Sequence, residues 1–166
     1  KSPTGAAILG DTSKPTTVIK DSKGQDIIVN KDSNDGKTMV KKSIVLNSSC
    51  YDVIKLLGQE KCVIGVSDTT VSDLPKYGDW RNPNVEKIIE AKPDVVFGYA
   101  SWLESGVGKQ LSDAGIQLLY FDLYVPSKIP EEIMTIGKIL GAEKKHRNLI
   151  MILSKYKTLL PKEQNQ

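Results

Sequence analysis

"PKYGDWRNPNVEKIIEAKPDVVFGYASW", residues 75–102, is the stretch on which the reading of this chain turns. It holds both tryptophans and one of the two arginines of a chain that is only 6% aromatic. Within it, "NPNVEKIIEA" (82–91) predicts a helix, with Asn82 placed to cap it, Pro83 at the first helical position and Glu86 in the opening turns. "PDVVFGYA" (93–100) predicts a strand, continuously apolar as expected when both faces of a sheet are covered.

The same alternation extends in both directions. Upstream, "SIVLN" (43–47) and "CVIGVS" (62–67) read as strands, separated by the helix "SSCYDVIKLLG" (48–58), capped by Ser48 or Ser49 and closed by Gly58. Downstream come the helix "GVGKQLSDAG" (106–115), the strand "IQLLYFD" (116–122) and the helix "KIPEEIMTIGKILG" (128–141). A further helix of about 17–20 residues, roughly 25–30 Å long, begins at Ala142. Before all of these, "TTVIKDSKGQDIIVN" (16–30) has two β-branched runs around a turn with Gly24 in its last position, which predicts a hairpin. Residues 1–16, rich in Ser, Thr, Pro, Gly and Lys, read as a flexible tail or linker. The fold class is therefore α/β: a parallel-sheet, Rossmann-like three-layer lobe with an N-terminal β-hairpin and a long C-terminal helix.

In such sheets ligands bind outside the carboxyl ends of the strands. The loops that meet there are 47–51, 67–71, 99–104 and 122–126, and the long connection through Asp79, Trp80 and Arg81 can reach the same rim. The candidate ligand-binding residues are Ser49, Tyr51, Asp68, Thr69, Trp80, Arg81, Tyr99, Trp102 and Tyr124. Trp80 has no apolar neighbour at helical or strand spacing. It is either a loop indole folded back on the domain or a flat face offered to a large ligand. Tyr99 suits core and rim equally. Trp102 lies past the strand, where burial is harder, while Phe97 reads as plain core.

Composition removes several alternatives. With 166 residues, 39% hydrophobic and 26% charged, the chain suits one globular domain. Its 23 basic and 20 acidic residues are interspersed and mostly lysine on the basic side, without the arginine-rich stripe that nucleic acid requires. No apolar run approaches the ~20 residues of a membrane span. The opening "KSPTG", without Met, suggests a processed or trimmed product. Cys50 and Cys62 flank a helix that rises ~15 Å, whereas bridged Cα atoms lie within about 7 Å, so both are expected as buried free thiols. No dinucleotide, phosphate-loop or nucleophile-elbow motif occurs. His146 reads as solvated, and Asp68, Asp73, Asp79 and Asp122 as turn formers. No catalytic residue, metal ligand or cofactor is assigned.

Taken in order, "VIKDSKGQDIIV", "SIVLNSSCYDVIKLLGQEKCVIGVSD", "LPKYGDWRNPNVEKIIEAKPDVVFGYASW", "GVGKQLSDAGIQLLYFD" and "IPEEIMTIGKILGAEKK" resemble the N-terminal lobe of class III substrate-binding proteins of ABC importers for iron–siderophores, haem and cobalamin. The resemblance covers about residues 17–160 and is most specific in "N-P-N-x-E-x-I-x-x-x-K-P-D-x-V". It implies residues 17–141 as a ligand-binding lobe and 142–166 as the start of a connector helix and a tail, with a second lobe absent from the chain. It implies an extracytoplasmic, non-enzymatic protein, with a removed N-terminal segment as the means of membrane anchoring, whose partners are an ABC permease and a metal-chelate, corrinoid or haem cargo. Trp80 matches an aromatic that contacts the corrin ring in cobalamin-binding relatives, and Tyr99 falls where they place another. Thr69 stands where an aromatic is common, which counts against cobalamin specifically. Glu86 matches the glutamate that docks on a permease arginine, in keeping with its place by the positive end of a helix, where it can also serve as a capping acid.

Two rivals remain open at this point. A single-lobe cell-surface interaction module would use the same rim for a protein partner, as a homodimer if the second lobe is truly absent. An enzyme of the nitrogenase-component type needs cluster-ligating cysteines, and only Cys50 is near the right edge of the sheet.

Overall fold

The computed structural model describes residues 8–9, 16–30 and 40–142. The connector helix expected from residue 142 onward, with His146, falls outside the described residues. Two sheets organise the rest. In the first, β2 (Thr16–Lys20) and β3 (Asp26–Asn30) pair antiparallel with Val18 opposite Ile28, around a turn in which Gly24 takes φ +75°. β1 (Ile8–Leu9) adds to β3 in parallel, so the segment read as a tail contributes a strand to the hairpin. The unpaired backbone edge of β3 explains this, because it accepts any extended segment that reaches it.

The second sheet carries the fold. β4 (Ser43–Val45), β5 (Val63–Val66), β6 (Val95–Phe97) and β7 (Gln117–Leu119) are all parallel, in the order β5-β4-β6-β7. Four helices connect or follow them: α1 (Ser48–Leu56), α2 (Val85–Ala91), α3 (Gly106–Asp113) and α4 (Ile129–Leu140). The strands are shorter than their apolar runs suggest, because the chain leaves the ladder within a few residues to form rim loops. Two apolar clusters cover the sheet. Val45, Val66, Phe97 and Leu119 pack with α1 and α4, while Ile44, Val96 and Leu118 pack with residues of α2 and α3. Period-two alternation sends neighbouring strand residues to opposite layers, giving the three-layer sandwich. The hairpin runs beside β7, tied by Ser22 N–H to Tyr120 O (3.1 Å) and Gln117 Nε2 to Asp26 O (3.1 Å).

Both helix starts near the rim differ from expectation. α1 is capped by Asn47, whose side chain accepts from the amides of Ser49 and Cys50, while the Ser48 hydroxyl instead pairs with Thr70 Oγ1 at 3.0 Å. α2 is capped by Asn84, which accepts from Lys87 N, and Pro83 lies outside the helix. Asn82 is taken up by a tight loop, its amide bonded to Asp79 Oδ1 and its carbonyl to Asp79 N. Cys50 and Cys62 are free and buried, as their spacing requires.

Phe97, fully buried and 6.0 Å from the Phe121 ring, closes the cluster beneath α4. Phe97→Ala is expected to lower stability by about 3–5 kcal/mol, measured by urea unfolding.

Candidate functional site

The strand order creates the candidate site. From β4 the chain steps to β5 on one side, then crosses back over to β6 on the other, so the loops leaving β4 and β6 diverge. In open parallel sheets a crevice is expected at that switch point, at the carboxyl ends. Tyr99 spans it: two residues beyond β6, its hydroxyl donates to Leu46 O, just beyond β4, at 3.2 Å. Burial, and to a lesser extent the neighbouring Cys50 and Asp79, raise the Tyr99 phenol above its usual range, so it remains a donor at neutral pH.

Trp80 lies over the same crevice. Its ring is 6.4 Å from Tyr99 with the planes tilted by 54°, and it is 50% exposed, too much for an indole folded into the domain. The Arg81 guanidinium sits 4.8 Å above the Trp80 ring and is itself exposed, placing one cation on an aromatic platform. The loop beneath is fixed by backbone. Asp79 Oδ1 accepts from the amides of Arg81 and Asn82, and Gly78 adopts φ +92°, where a Cβ would lie 2.3 Å from Asn82 O. Asp68 clasps this loop from the other side, its amide donating to Gly78 O (2.9 Å) and its carboxylate accepting from Gly78 N (3.1 Å). Asp68 is thus both exposed at the rim and a brace for the tryptophan loop.

Trp102 departs from expectation. A short 3₁₀ turn at Ala100–Trp102 folds the chain back and drives the indole inward, leaving it 3% exposed, 5.4 Å edge-on from Tyr99. Its Nε1–H donates to Trp80 O at 2.9 Å. Tyr51 is also largely buried, at 7% exposure, with its hydroxyl 3.4 Å from Ser72 Oγ. Ser49, in the first turn of α1, and Thr69, in the turn after β5, are exposed. Tyr124 is 72% exposed but makes no ring contact with the Trp80–Tyr99 pair. Among the described residues no cluster of His, Cys, Asp or Glu is arranged to hold a metal ion.

Glu86 is exposed in the first turn of α2, and with Asn84 as cap and Lys87 at the third position it is not a capping acid. Among the described residues its carboxylate has no hydrogen-bond or ion-pair partner, so it is available to an outside cation.

Sequence reading missed Glu132. Although charged, it is 5% exposed; its Oε2 accepts from Leu123 N at 2.8 Å, while Oε1 is buried without a partner. Leu123 has φ +54°, an unusual conformation for a branched-chain side chain, and it opens the loop that carries Tyr124. Its only sequence signal is an acid among the apolar positions of an amphipathic helix. Burial is the main cause of a raised Glu132 pKa; the Leu123 amide and Ser22 oppose it, Asp122 adds to it and Lys128 lessens it.

The fold now defines a class: an α/β sandwich on a parallel sheet with a topological switch point beside its exposed tryptophan. The chain belongs to the periplasmic binding protein family, whose model matches residues 43–156. It is 36% identical over 140 residues to an uncharacterised ABC transporter substrate-binding lipoprotein, YvrC, of Bacillus subtilis, covering 80% of this chain and 42% of that protein. Among solved structures it resembles the periplasmic haem-binding protein HutB of Vibrio cholerae, with TM-score 0.66 and 21% identity, over 74% of this chain and 51% of that one. It also resembles the molybdate-binding protein MolA of Haemophilus influenzae, with TM-score 0.71 and 17% identity, over 86% and 52%. The chain thus spans about half the length of these relatives, or less.

Because the folded-state pKa of Glu132 is raised, the native protein binds a proton that the unfolded chain releases. Its contribution to stability is full below the ordinary carboxylate range and falls as pH rises through the shifted value. Glu132→Gln keeps an acceptor for the Leu123 amide, and thermal melts from pH 4 to 8 should show a flatter pH profile than wild type on the alkaline side.

Proposed function

We propose that residues 17–141 form the N-terminal lobe, and 142–166 the start of the connector, of an extracytoplasmic substrate-binding component of an ABC importer. The observation that carries this reading is the half-exposed Trp80, tilted against Tyr99 and topped by Arg81 over the switch-point crevice. Solvent normally selects against exposing a large ring on a braced loop, unless something covers it in the working state.

The cargo we propose is a metal chelate or macrocycle, with haem or a corrinoid ahead of an iron–siderophore. Flat, weakly charged rings favour an aromatic platform with a few polar groups. Strongly anionic chelates favour several arginines, and among the described residues Arg81 is the one arginine. Ser49, Asp68, Thr69 and Tyr124 line the remaining edge as polar contacts, and the cargo brings its own metal. The protein acts as a carrier rather than a catalyst: it delivers cargo by a difference in affinity between its open and closed forms. Glu86 is the group proposed to meet a cation on the permease, and the protein works on the outer side of the membrane, anchored there as a lipoprotein.

Titration of the full-length protein with haemin, cyanocobalamin and a ferric hydroxamate, followed by tryptophan fluorescence, is expected to give saturable quenching with at least one of them. Trp80→Ala should weaken that binding at least tenfold, about 1.4 kcal/mol, with little change in melting temperature. A folded protein that none of the three quenches would remove this cargo class. Glu86→Gln should leave the same titration unchanged while reducing uptake in cells by several-fold.

A further inference from the structure

The indole of Trp102 was expected to touch ligand, yet the fold buries it and turns its one polar group towards another residue. Its Nε1–H is 2.9 Å from Trp80 O, the carbonyl of the residue that presents the exposed ring. Its edge meets Tyr99 at 5.4 Å, the residue that closes the crevice by bonding Leu46 O. One buried side chain therefore touches both members of the aromatic platform.

Space has been cleared around it by the absence of two side chains. A Cβ at Gly98 would lie 2.6 Å from the Trp102 ring, and one at Gly108 would lie 2.1 Å from Trp102 O. Neither Gly98 nor Gly108 has a positive φ, so backbone freedom does not explain these glycines; close approach does. A core needing only apolar volume at this place could use Leu or Phe, whose packing asks for no polar partner. An indole seated between two glycines with its N–H paired to a rim carbonyl is a costlier arrangement, and the N–H must find a partner once buried.

We propose that Trp102 is a positioning residue for the ligand platform. Through the Nε1–H bond it sets the height and tilt of the loop 78–82, and with it the Trp80 ring, relative to Tyr99. This rests on the ligand-rim reading above, but it makes a separate claim about the ligand-free protein. Asp79 and Asp68 hold the loop's shape and its attachment on one side, whereas Trp102 supplies the link to the β6 side of the crevice. Without that link the loop is tethered from one bank only, and the ring samples a wider range of poses.

The test uses Trp102→Phe in the full-length protein, which keeps an aromatic body while removing the N–H together with one ring of the indole. Indole ¹⁵N–¹H spectra, assigned by comparing Trp80→Phe and Trp102→Phe, are recorded without ligand alongside acrylamide quenching. The expected result is a shifted or broadened Trp80 indole signal, greater quenching of Trp80, and a two- to tenfold loss of affinity for whichever probe (haemin, cyanocobalamin or ferric hydroxamate) the wild type binds, about the value of one neutral hydrogen bond. A folded variant whose Trp80 signal and quenching match wild type overturns the proposal. If the variant does not fold, the wild-type spectrum decides. A downfield, slowly exchanging Trp102 indole proton supports the link, and one at the position of a free indole overturns it. Failure of every probe to bind wild type would sink the cargo reading alone, since the ligand-free spectra report on the link independently.

Discussion

The reversal of strand order about β4 is the constraint from which the rest of this fold follows. Parallel strands demand crossover connections, and a chain that crosses first to one side and then to the other leaves a gap between two diverging loops. Backbone at such a gap loses its ladder partners while still close to the apolar core. The structure meets that demand locally. The amides of Leu46 and Asn47 both reach Phe97 O, Asn47 turns to cap α1, and Tyr99 returns a hydroxyl to Leu46 O. A phenol bridging the two banks is a polar solution with a flat apolar face, and that face is available to whatever rests in the crevice.

The aromatic residues divide by role. Phe97 and Phe121 are core, and Trp102 has joined the core while keeping one polar tether to the rim. Tyr99 is intermediate, and Trp80 stands half in water on a loop braced by Asp68, Asp79 and Gly78. The order from interior to solvent runs Trp102, Tyr99, Trp80, each ring within 6.4 Å of the next. Such a stack transmits position from the sheet to the surface with little conformational entropy, since each aromatic has only two side-chain torsions. A surface built from such rings has few side-chain torsions left to order.

On the opposite edge the fold is held by a different chemistry. Glu132 brings a carboxylate into the interior to hold the Leu123 amide, and Asp21 in the hairpin turn accepts from the amides of Lys23, Gln25 and Tyr120. Asp21 thus ties the hairpin turn to the end of β7, and Glu132 ties the rim loop to α4. Neither is part of an ion pair among the described residues; Asp21 is satisfied by backbone amides and by Gln25 Nε2, whereas Glu132 has one oxygen bonded to the Leu123 amide and the other buried without a partner.

The alternation of apolar runs with capped helices was enough to fix the fold class, the element order and the end of the sheet at which to look, because those depend on local periodicity and on the chirality of crossovers. The stretch at 75–102 also carried the family, and marked Trp80, Arg81 and Tyr99 as neighbours. Sequence could not place the helix caps, since Asn47, Ser48, Asn82 and Asn84 all have suitable side chains and the choice depends on which polar groups the incoming loop already occupies. Nor could it place Trp102, which looked exposed by its position after a strand. Its burial depends on a 3₁₀ turn and on the room left by Gly98 and Gly108, one before it in the chain and one after. Glu132 was hidden for the same reason: charge predicts exposure unless a distant amide needs an acceptor, and only the packed structure brings Leu123 within reach. Sequence alone determined what each segment prefers; the tertiary structure decided which groups had no water left to bond to, and therefore which side chains had to turn inward.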